Sequence, residues 1–179
     1  RLHLSCTGSG GPTVVLLGGL GETSAAWGLV HAAVAGTTRV CSYDRAGQAW
    51  SDSAPGAKDG VQVAADLHAL LRRAGEPGPY VLAGHSVGGP YAMVYAARYP
   101  DDVAGLVLLD SSSPHQFTAL PDYPASYAFV RRYTALLPTL VGLGAGPLID
   151  FAPPADLPSA AQEQLQAFAW GTRQLRAER

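Results

Sequence analysis

The chain has little charge of either sign. Only 15% of its 179 residues are charged, the formal net charge is −2, and no run of lysine and arginine residues is present. Nucleic-acid binding rests on neutralising phosphates, so this composition argues against a nucleic-acid surface and we expect no nucleic-acid partner. With 47% hydrophobic residues, the composition is that of a globular domain long enough to bury a core.

Cysteine is also scarce. Cys6 and Cys41 are too few for a disulfide framework, and their spacing does not match a metal site. We therefore expect two buried thiols, although a disulfide is geometrically possible if the strands that carry them are neighbours. We expect no metal and no cofactor.

Long hydrophobic runs are absent. The longest uncharged stretch, residues 133–149, contains prolines and glycines and falls short of the roughly 20 apolar residues that a membrane helix needs. It predicts a flexible apolar loop or lid and no membrane span. No signal peptide is visible, so we expect a cytoplasmic protein, with export left open because the chain begins at Arg1 rather than Met.

What the chain does contain is a regular alternation of apolar strands and helical patterns. Strands are predicted at residues 2–6, 13–17, 39–43, 80–83 and 105–109, and helices at 24–35, from Asp59 to 74, and at 90–99. Asp59 with Gln62 resembles a capping pair at the start of the second helix. Such alternation implies parallel strands, right-handed crossovers and helices on both faces. The predicted class is α/β with a mostly parallel sheet, and the active groups belong at the carboxyl ends of the strands.

The pattern changes after Ser111. Proline-rich segments there separate apolar helices, predicted at residues 126–137 and from Ser159, where Ser159 and Gln162 form a capping-box pattern. We interpret residues 1–114 as part of a core domain and residues 115–179 as a helical cap.

The hexapeptide Gly-His-Ser-Val-Gly-Gly at residues 84–89 lies between a predicted strand and a predicted helix. So tight a turn excludes bulky side chains at Gly84 and Gly88, and presents the Ser86 hydroxyl on a strained backbone. The following helix N-terminus offers free N–H groups where a negatively charged oxygen would form. We predict that Ser86 is a nucleophile; the alternative is a glycine-rich turn with an incidental serine.

Four segments in this order and spacing resemble the α/β-hydrolase family, particularly esterase-like and lipase-like members with a helical cap. They are residues 16–21, 44–52, 84–89 and 106–110. The resemblance implies that Ser86 is the nucleophile and that the backbone N–H groups of Leu20 and Val87 form the oxyanion hole. Two positions depart from the family: Gly18 stands where His is usual, and Ala49 where Gly is common.

Other polar residues have simpler interpretations. We expect Asp44 and Arg45 to pair and pin their loop. His85 is expected to pack or to form hydrogen bonds, because neighbouring side chains in so sharp a turn point apart. The remaining histidines before the cap are expected to be surface or packing residues: His3, His31 and His68.

Serine catalysis needs a histidine base and a carboxylate that orients it. The resemblance places both after the serine, beyond the cap, but the only histidine after Asp110 is His115. Either the sequence is a fragment of a longer hydrolase, which we favour, or the nearby Asp110 and His115 act as the carboxylate and the base. Asp110 stands at a strand end where some relatives place their acid, so we keep it as a candidate acid.

Two further expectations concern surfaces. The predicted strand 105–109 is apolar on both faces with no strand after it, and such a bare edge favours self-association. The aromatic residues of the cap either bind an acyl or aromatic group or simply pack together. They are Phe117, Tyr123, Tyr127, Phe129 and Tyr133.

The sequence therefore predicts a serine hydrolase that cleaves a small carboxylic ester, or a related acyl substrate, through an acyl-enzyme on Ser86. A serine at the turn, rather than an aspartate, argues against epoxide hydrolase and haloalkane dehalogenase chemistry. Amide, thioester, carbon–carbon-bond and peroxy-acid chemistry stay open. A catalytically silent binding protein on a hydrolase scaffold is the second hypothesis.

Overall fold

A single five-stranded sheet organises the protein, whose computed structural model describes residues 1–55, 59–144 and 155–169. The strands are β1 (Leu4–Thr7), β2 (Thr13–Leu17), β3 (Val40–Tyr43), β4 (Tyr80–His85) and β5 (Val103–Leu109). Their order is β1-β3-β2-β4-β5, with β1 antiparallel to β3 and all other neighbours parallel. The predicted α/β class with a mostly parallel sheet is confirmed.

Helices connect the strands and continue beyond β5. They are α1 (Gly28–Ala35), α2 (Gly60–Ala74), α3 (Gly88–Arg98), α4 (Gln116–Ala119), α5 (Tyr123–Gly142) and α6 (Ser159–Ala169), with 3₁₀ turns at Ser24–Trp27 and Pro100–Asp102. The predicted N-terminal cap of α2 is confirmed, because the Asp59 side chain accepts a hydrogen bond from the Gln62 N–H. The helix ends at Gly75, whose φ of 71° suits glycine.

The two faces of the sheet bury separate apolar clusters. Because successive strand side chains alternate between faces, Val15 and Leu17 of β2 face one cluster and Leu16 faces the other. The first cluster contains Leu67 and Leu71 of α2 and Ala92 and Tyr95 of α3. The second contains Trp27, with Val34 and Ala35 of α1 packed against it. Each fully buried leucine contributes about 1.5–3 kcal/mol, so burial at the centre of the sheet contributes strongly to the stability of the fold.

The segment after β5 is more helical than its composition indicates. The prediction of a loop at residues 133–149 is wrong for its residues up to Gly142, because α5 continues through Pro138 to Gly142. The leucines and alanines there favour helix, and Pro138 removes only one backbone donor. Residues 145–149 lie outside the described residues. None of the described helices has the length and apolar character needed to cross a bilayer.

Helix α6 begins at Ser159 as predicted, but without the capping box. The Gln162 side chain donates hydrogen bonds to the carbonyl oxygens of Ala155 and Leu157 instead. The helix packs against the start of α1: a Cβ atom added at Gly28 would lie 3.8 Å from the Cβ of Ala161. The Phe168 ring meets the Trp50 ring edge-on, with centroids 4.9 Å apart.

Strand β5 leaves apolar side chains exposed on both faces. Within residues 1–55, 59–144 and 155–169 it pairs only with β4, and its residues 106–109 are 40% to 47% exposed. Such an edge is unusual for so apolar a strand. Self-association through it stays a prediction.

The two cysteines form a disulfide, so the expectation of buried thiols is wrong. Cys6 of β1 and Cys41 of β3 stand directly opposite each other, with Cα atoms 4.1 Å apart. Their pairing results from the antiparallel placement of β1 beside β3, which the sequence pattern did not specify. The bond closes a loop with a sequence separation of 35 residues.

Reducing this disulfide is expected to lower the free energy of unfolding by about 2–4 kcal/mol, because the reduced chain gains conformational freedom when unfolded. Urea unfolding with and without dithiothreitol measures the change. The double variant Cys6→Ser, Cys41→Ser is the control, because dithiothreitol should not alter its stability. Full reduction of the wild type with no loss of stability would contradict the expectation.

The start of α3 lies against the end of β2. A Cβ atom added at Gly88 would collide with the carbonyl oxygen of Leu17 and lie 2.9 Å from that of Gly18. A Cβ at Gly84 would lie 2.5 Å from the Gly88 carbonyl oxygen. Because these neighbours are backbone atoms, they cannot rotate away, and the exclusion of side chains predicted at Gly84 and Gly88 is confirmed.

Gly88→Ala is expected to lower the free energy of unfolding by about 1–3 kcal/mol or more, because either α3 or β2 must move. Gly105→Ala is the matched control: a Cβ there has no neighbour within 4 Å. Thermal unfolding of both variants tests the difference. Equal melting temperatures for the two variants would contradict the close approach.

Candidate active site

Ser86 occupies the turn between β4 and α3 in a strained conformation. Its φ is 51°, in the left-handed region that costs a residue with a side chain about 1–3 kcal/mol. The surrounding backbone holds it there. The Ser86 N–H donates to the Leu109 carbonyl (3.2 Å), and the Ser86 carbonyl accepts from the N–H groups of Gly89 (3.1 Å) and Ser112 (3.0 Å). The strained strand–turn–helix geometry predicted for this segment is therefore present.

The Ser86 hydroxyl remains accessible. It makes no hydrogen bond to another described residue, yet it is not among the buried polar side-chain atoms that lack a partner, which belong to Thr23, Trp27 and Tyr43. The residue itself is half-buried. Its oxygen can therefore be reached from solvent at the carboxyl end of β4.

The loop after β2, residues 18–22, lies beside Ser86 because β2 and β4 are neighbours with Leu17 opposite Gly84. A Cβ at Gly19 would lie 3.1 Å from the Ser86 Cβ and 3.2 Å from His85 Nδ1. A side chain here would force its neighbours to shift by a few tenths of an ångström, so glycine suits this close approach.

Arg45, from the segment after β3, holds the carbonyl groups of this loop. Its guanidinium donates to the carbonyl oxygens of Gly18 (2.6 Å) and Gly19 (2.7 Å). It also lies over the Tyr91 ring, 5.3 Å from the ring centroid. A trans peptide points its C=O and N–H in opposite directions, so the Leu20 N–H points away from Arg45.

The expected pair between Asp44 and Arg45 is wrong. The buried Asp44 carboxylate accepts from the N–H groups of Ser24 (2.7 Å) and Trp50 (3.4 Å), and forms no ion pair with Arg45 in the described structure. Consecutive residues at a strand end project to opposite sides, so the two side chains fix different segments.

Two backbone donors remain unused near the Ser86 turn. Neither the Leu20 N–H nor the Val87 N–H donates a hydrogen bond to any part of the chain that the structure describes. One lies in the loop after β2 and the other at the N-terminus of α3, where the helix dipole favours negative charge. Such donors can bind a developing oxyanion.

Glu22 and His85 form a contact that the sequence did not reveal. The carboxylate of Glu22 lies 2.7 Å from His85 Nδ1 through one oxygen and accepts from the Gly19 N–H (2.6 Å) through the other. The expected hydrogen-bonding role of His85 agrees with this contact. Only the acidic character of Glu22, within an otherwise glycine-rich loop, could have drawn attention to it.

Asp110 and His115 stand near the end of β5, both exposed. Asp110 has a φ of 41°, and His115 precedes α4. No hydrogen bond between either side chain and Ser86 is present in the described part of the chain. A catalytic role for either residue stays a prediction.

Two of the other histidines, His31 and His68, lie in structural contacts. His31 bridges the hydroxyl groups of Thr7 (2.8 Å) and Ser42 (3.1 Å), and burial lowers its pKa. His68 lies 3.0 Å from the Asp102 carboxylate and stacks on the Tyr99 ring. These contacts agree with the packing roles expected for both residues.

One group of potential metal ligands occurs in the described residues, formed by Cys6, Cys41 and Glu76. The two sulfurs are joined in the disulfide, and both Glu76 oxygens accept from Arg39 at 2.6 Å. These residues therefore do not fit a metal ion.

Comparison with known proteins agrees with this architecture. The solved structure of the epoxide hydrolase CorEH matches with a TM-score of 0.76 at 22% identity, covering 99% of this chain and 67% of that chain. The esterase EaEST from Exiguobacterium antarcticum matches with a TM-score of 0.70 at 20% identity, covering 99% of this chain and 68% of that chain. At such identities the likeness shows the fold alone.

Curated relatives are longer than this chain. Protein YqjL of Bacillus subtilis is 31% identical over 117 residues, which are 64% of this chain and 46% of the relative. The chain spans less than half the length of this relative. The family model described as the alpha/beta hydrolase fold matches residues 12–151, more than three quarters of the chain. On this match and on the fold, the chain belongs to the α/β-hydrolase family.

Proposed function

We propose that the protein is a serine hydrolase that cleaves a carboxylic ester through an acyl-enzyme on Ser86. The observation that carries the proposal is the strained, accessible Ser86 with the unused N–H groups of Leu20 and Val87 on the two adjoining segments. Backbone strain of this kind needs compensation elsewhere, and it is concentrated at functional sites.

In the proposed reaction, the Ser86 Oγ attacks the ester carbonyl and the carbonyl oxygen becomes negatively charged. The N–H groups of Leu20 and Val87 then stabilise this oxyanion, and each such donor is worth about 10²–10³ in rate. Collapse of the intermediate expels the alcohol and leaves an acyl group on Ser86. Attack by water releases the acid and restores the hydroxyl.

The reaction also needs a base for the Ser86 proton. We propose that a histidine outside residues 1–179 of the full-length protein is this base. It accepts the Ser86 proton and then gives it to the departing alcohol, while a carboxylate orients its ring. Asp110 is the candidate carboxylate within the chain, since it lies at the carboxyl end of β5, next to β4.

We further propose that residues 1–114 belong to the catalytic core and that residues 115–179 cap it. The contact between Phe168 of α6 and Trp50 of the core supports this division. Phe117, Tyr123 and Tyr127 contact one another at centroid distances of 5.0 to 6.2 Å, which favours packing for these three. Phe129 is 70% exposed and is the better candidate for contact with an acyl or aromatic group.

Other acyl chemistry within the fold, on amides, thioesters, carbon–carbon bonds or peroxy acids, remains an alternative. Epoxide hydrolysis is less well supported, because an alkyl-enzyme ester forms on a carboxylate and the turn here carries a serine. The second candidate is a catalytically silent binding protein, which is favoured by the lack of a histidine bound to Ser86 Oγ within the described ranges.

Ser86→Ala in the full-length protein is expected to abolish hydrolysis of p-nitrophenyl butyrate and labelling by a fluorophosphonate probe, because both need the Oγ nucleophile. Ser53→Ala, at an exposed position, is the matched control and should retain both. Folded wild-type protein that shows neither hydrolysis nor labelling would instead support the binding protein.

The disulfide bears on location. Disulfides persist in oxidising compartments and are rare in the cytosol, so the Cys6–Cys41 bond supports export, which the sequence left open, over a cytoplasmic location. In cells that are quenched with acid and treated with a maleimide polymer, Cys6 and Cys41 should react with the maleimide only after the disulfide has been reduced. The variant Cys6→Ser, Cys41→Ser accounts for any other thiols, and free thiols before reduction would restore the cytoplasmic prediction.

A further inference from the structure

One carboxylate joins the two segments that carry the unused N–H donors. Glu22 accepts from the Gly19 N–H at 2.6 Å through Oε2, and its Oε1 lies 2.7 Å from His85 Nδ1. His85 is the residue immediately before Ser86. A single side chain therefore links the loop after β2 to the Ser86 turn.

The peptide between Gly18 and Gly19 is held at both ends. Its carbonyl oxygen accepts from Arg45 at 2.6 Å, and its N–H donates to Glu22 at 2.6 Å. Because the unit is planar, opposing bonds on its two ends prevent it from rotating about its axis. Hydrogen bonds with a charged partner are stronger than neutral ones.

The fixed orientation of this peptide also constrains the next one, between Gly19 and Leu20. Its carbonyl, on Gly19, accepts from Arg45 at 2.7 Å, and its N–H is the unused donor of Leu20. Glycine has more backbone freedom than any other residue, so a Gly18-Gly19 loop has no intrinsic preference for one direction of the Leu20 N–H. The contacts of Glu22 and Arg45 supply that direction.

We propose that Glu22 is a positioning residue of the hydrolytic site, which fixes the Leu20 N–H relative to the Ser86 Oγ by bridging Gly19 and His85. The inference rests on the proposed function. Glu22 acts through Gly19 and His85, and its role is to keep the oxyanion donor aligned.

This role differs from that of an ordinary surface ion pair. Glu22 and His85 have side chains 30% and 36% exposed, and pairs of this exposure add little to stability. Misdirection of a group in an active site, by contrast, costs up to about 10²-fold in rate. Loss of the Glu22 carboxylate should therefore change turnover much more than it changes folding.

The test compares Glu22→Ala with Glu22→Gln in the full-length protein acting on p-nitrophenyl butyrate. Alanine removes both contacts, so kcat should fall by about 10- to 100-fold while KM changes by less than about twofold. Glutamine can accept from the Gly19 N–H through its oxygen and donate to His85 Nδ1 through its nitrogen, when the ring carries its proton on Nε2. Its kcat should lie within about threefold of the wild-type value.

Two further variants support the comparison. Glu163→Ala removes an exposed glutamate of α6 and should leave kcat unchanged. The kcat of the double variant Glu22→Ala, His85→Ala should lie within about twofold of the kcat of Glu22→Ala, because the two residues act through one bridge. If Glu22→Ala does not fold, Glu22→Met, which keeps the length without an acceptor, takes its place.

The outcomes separate the inference from the proposed function. An unchanged kcat in Glu22→Ala, or an equal loss in the Ala and Gln variants, would overturn the positioning role. A loss of kcat that merely follows a fall in melting temperature would also overturn it. Fluorophosphonate labelling provides the distinction. If Ser86 of the wild type is not labelled, the proposed function is wrong. If the wild type and Glu22→Ala are labelled at equal rates, only the inference about Glu22 is wrong.

Discussion

The site depends on the contact between the end of β2 and the start of α3. The backbone of Gly88 reaches the Leu17 carbonyl so closely that a methyl group does not fit. This contact requires β2 and β4 to be neighbours, and it places the turn after β4 against the loop after β2. The strain at Ser86 is compensated by hydrogen bonds to Leu109, Gly89 and Ser112, which belong to β5, α3 and the segment after β5. Packing of the sheet and one helix thus determines where the serine hydroxyl is presented.

Polar side chains from separate elements complete the arrangement. Arg45 follows β3, Glu22 follows β2 and His85 ends β4, yet all three meet the same glycine loop. Members of the resembled family usually carry histidine at the position of Gly18. Here the Gly18 carbonyl accepts from Arg45, so a charged side chain holds a loop that lacks a side chain of its own. Glycine permits the close approach to Ser86, and hydrogen bonds to charged groups remove the freedom that glycine introduces.

The two edges of the described sheet differ. At one edge, β1 runs antiparallel to β3 and is joined to it by the Cys6–Cys41 disulfide. At the other, the leucines and valine of β5 are exposed. This edge belongs to the same strand whose last residue, Leu109, accepts the hydrogen bond from Ser86. The exposed strand is therefore the direct neighbour of β4, the strand that leads into the candidate active site.

The sequence by itself determined the strands, most helices and the strained serine turn, because these follow from local patterns: apolar runs, the Asp59 cap, and glycines on either side of Ser86. The resemblance of its motifs to the α/β-hydrolase family also implied Leu20 and Val87 as the oxyanion donors, and that role stays a prediction. The sequence did not identify the disulfide, the partners of Asp44 and Arg45, or the Glu22 bridge. Those depend on which strands are neighbours and in which direction they run, and residues such as Cys6 and Cys41, or Glu22 and His85, are distant in the chain. Only the tertiary structure decides such contacts, because strand order and direction are set by packing of the whole sheet.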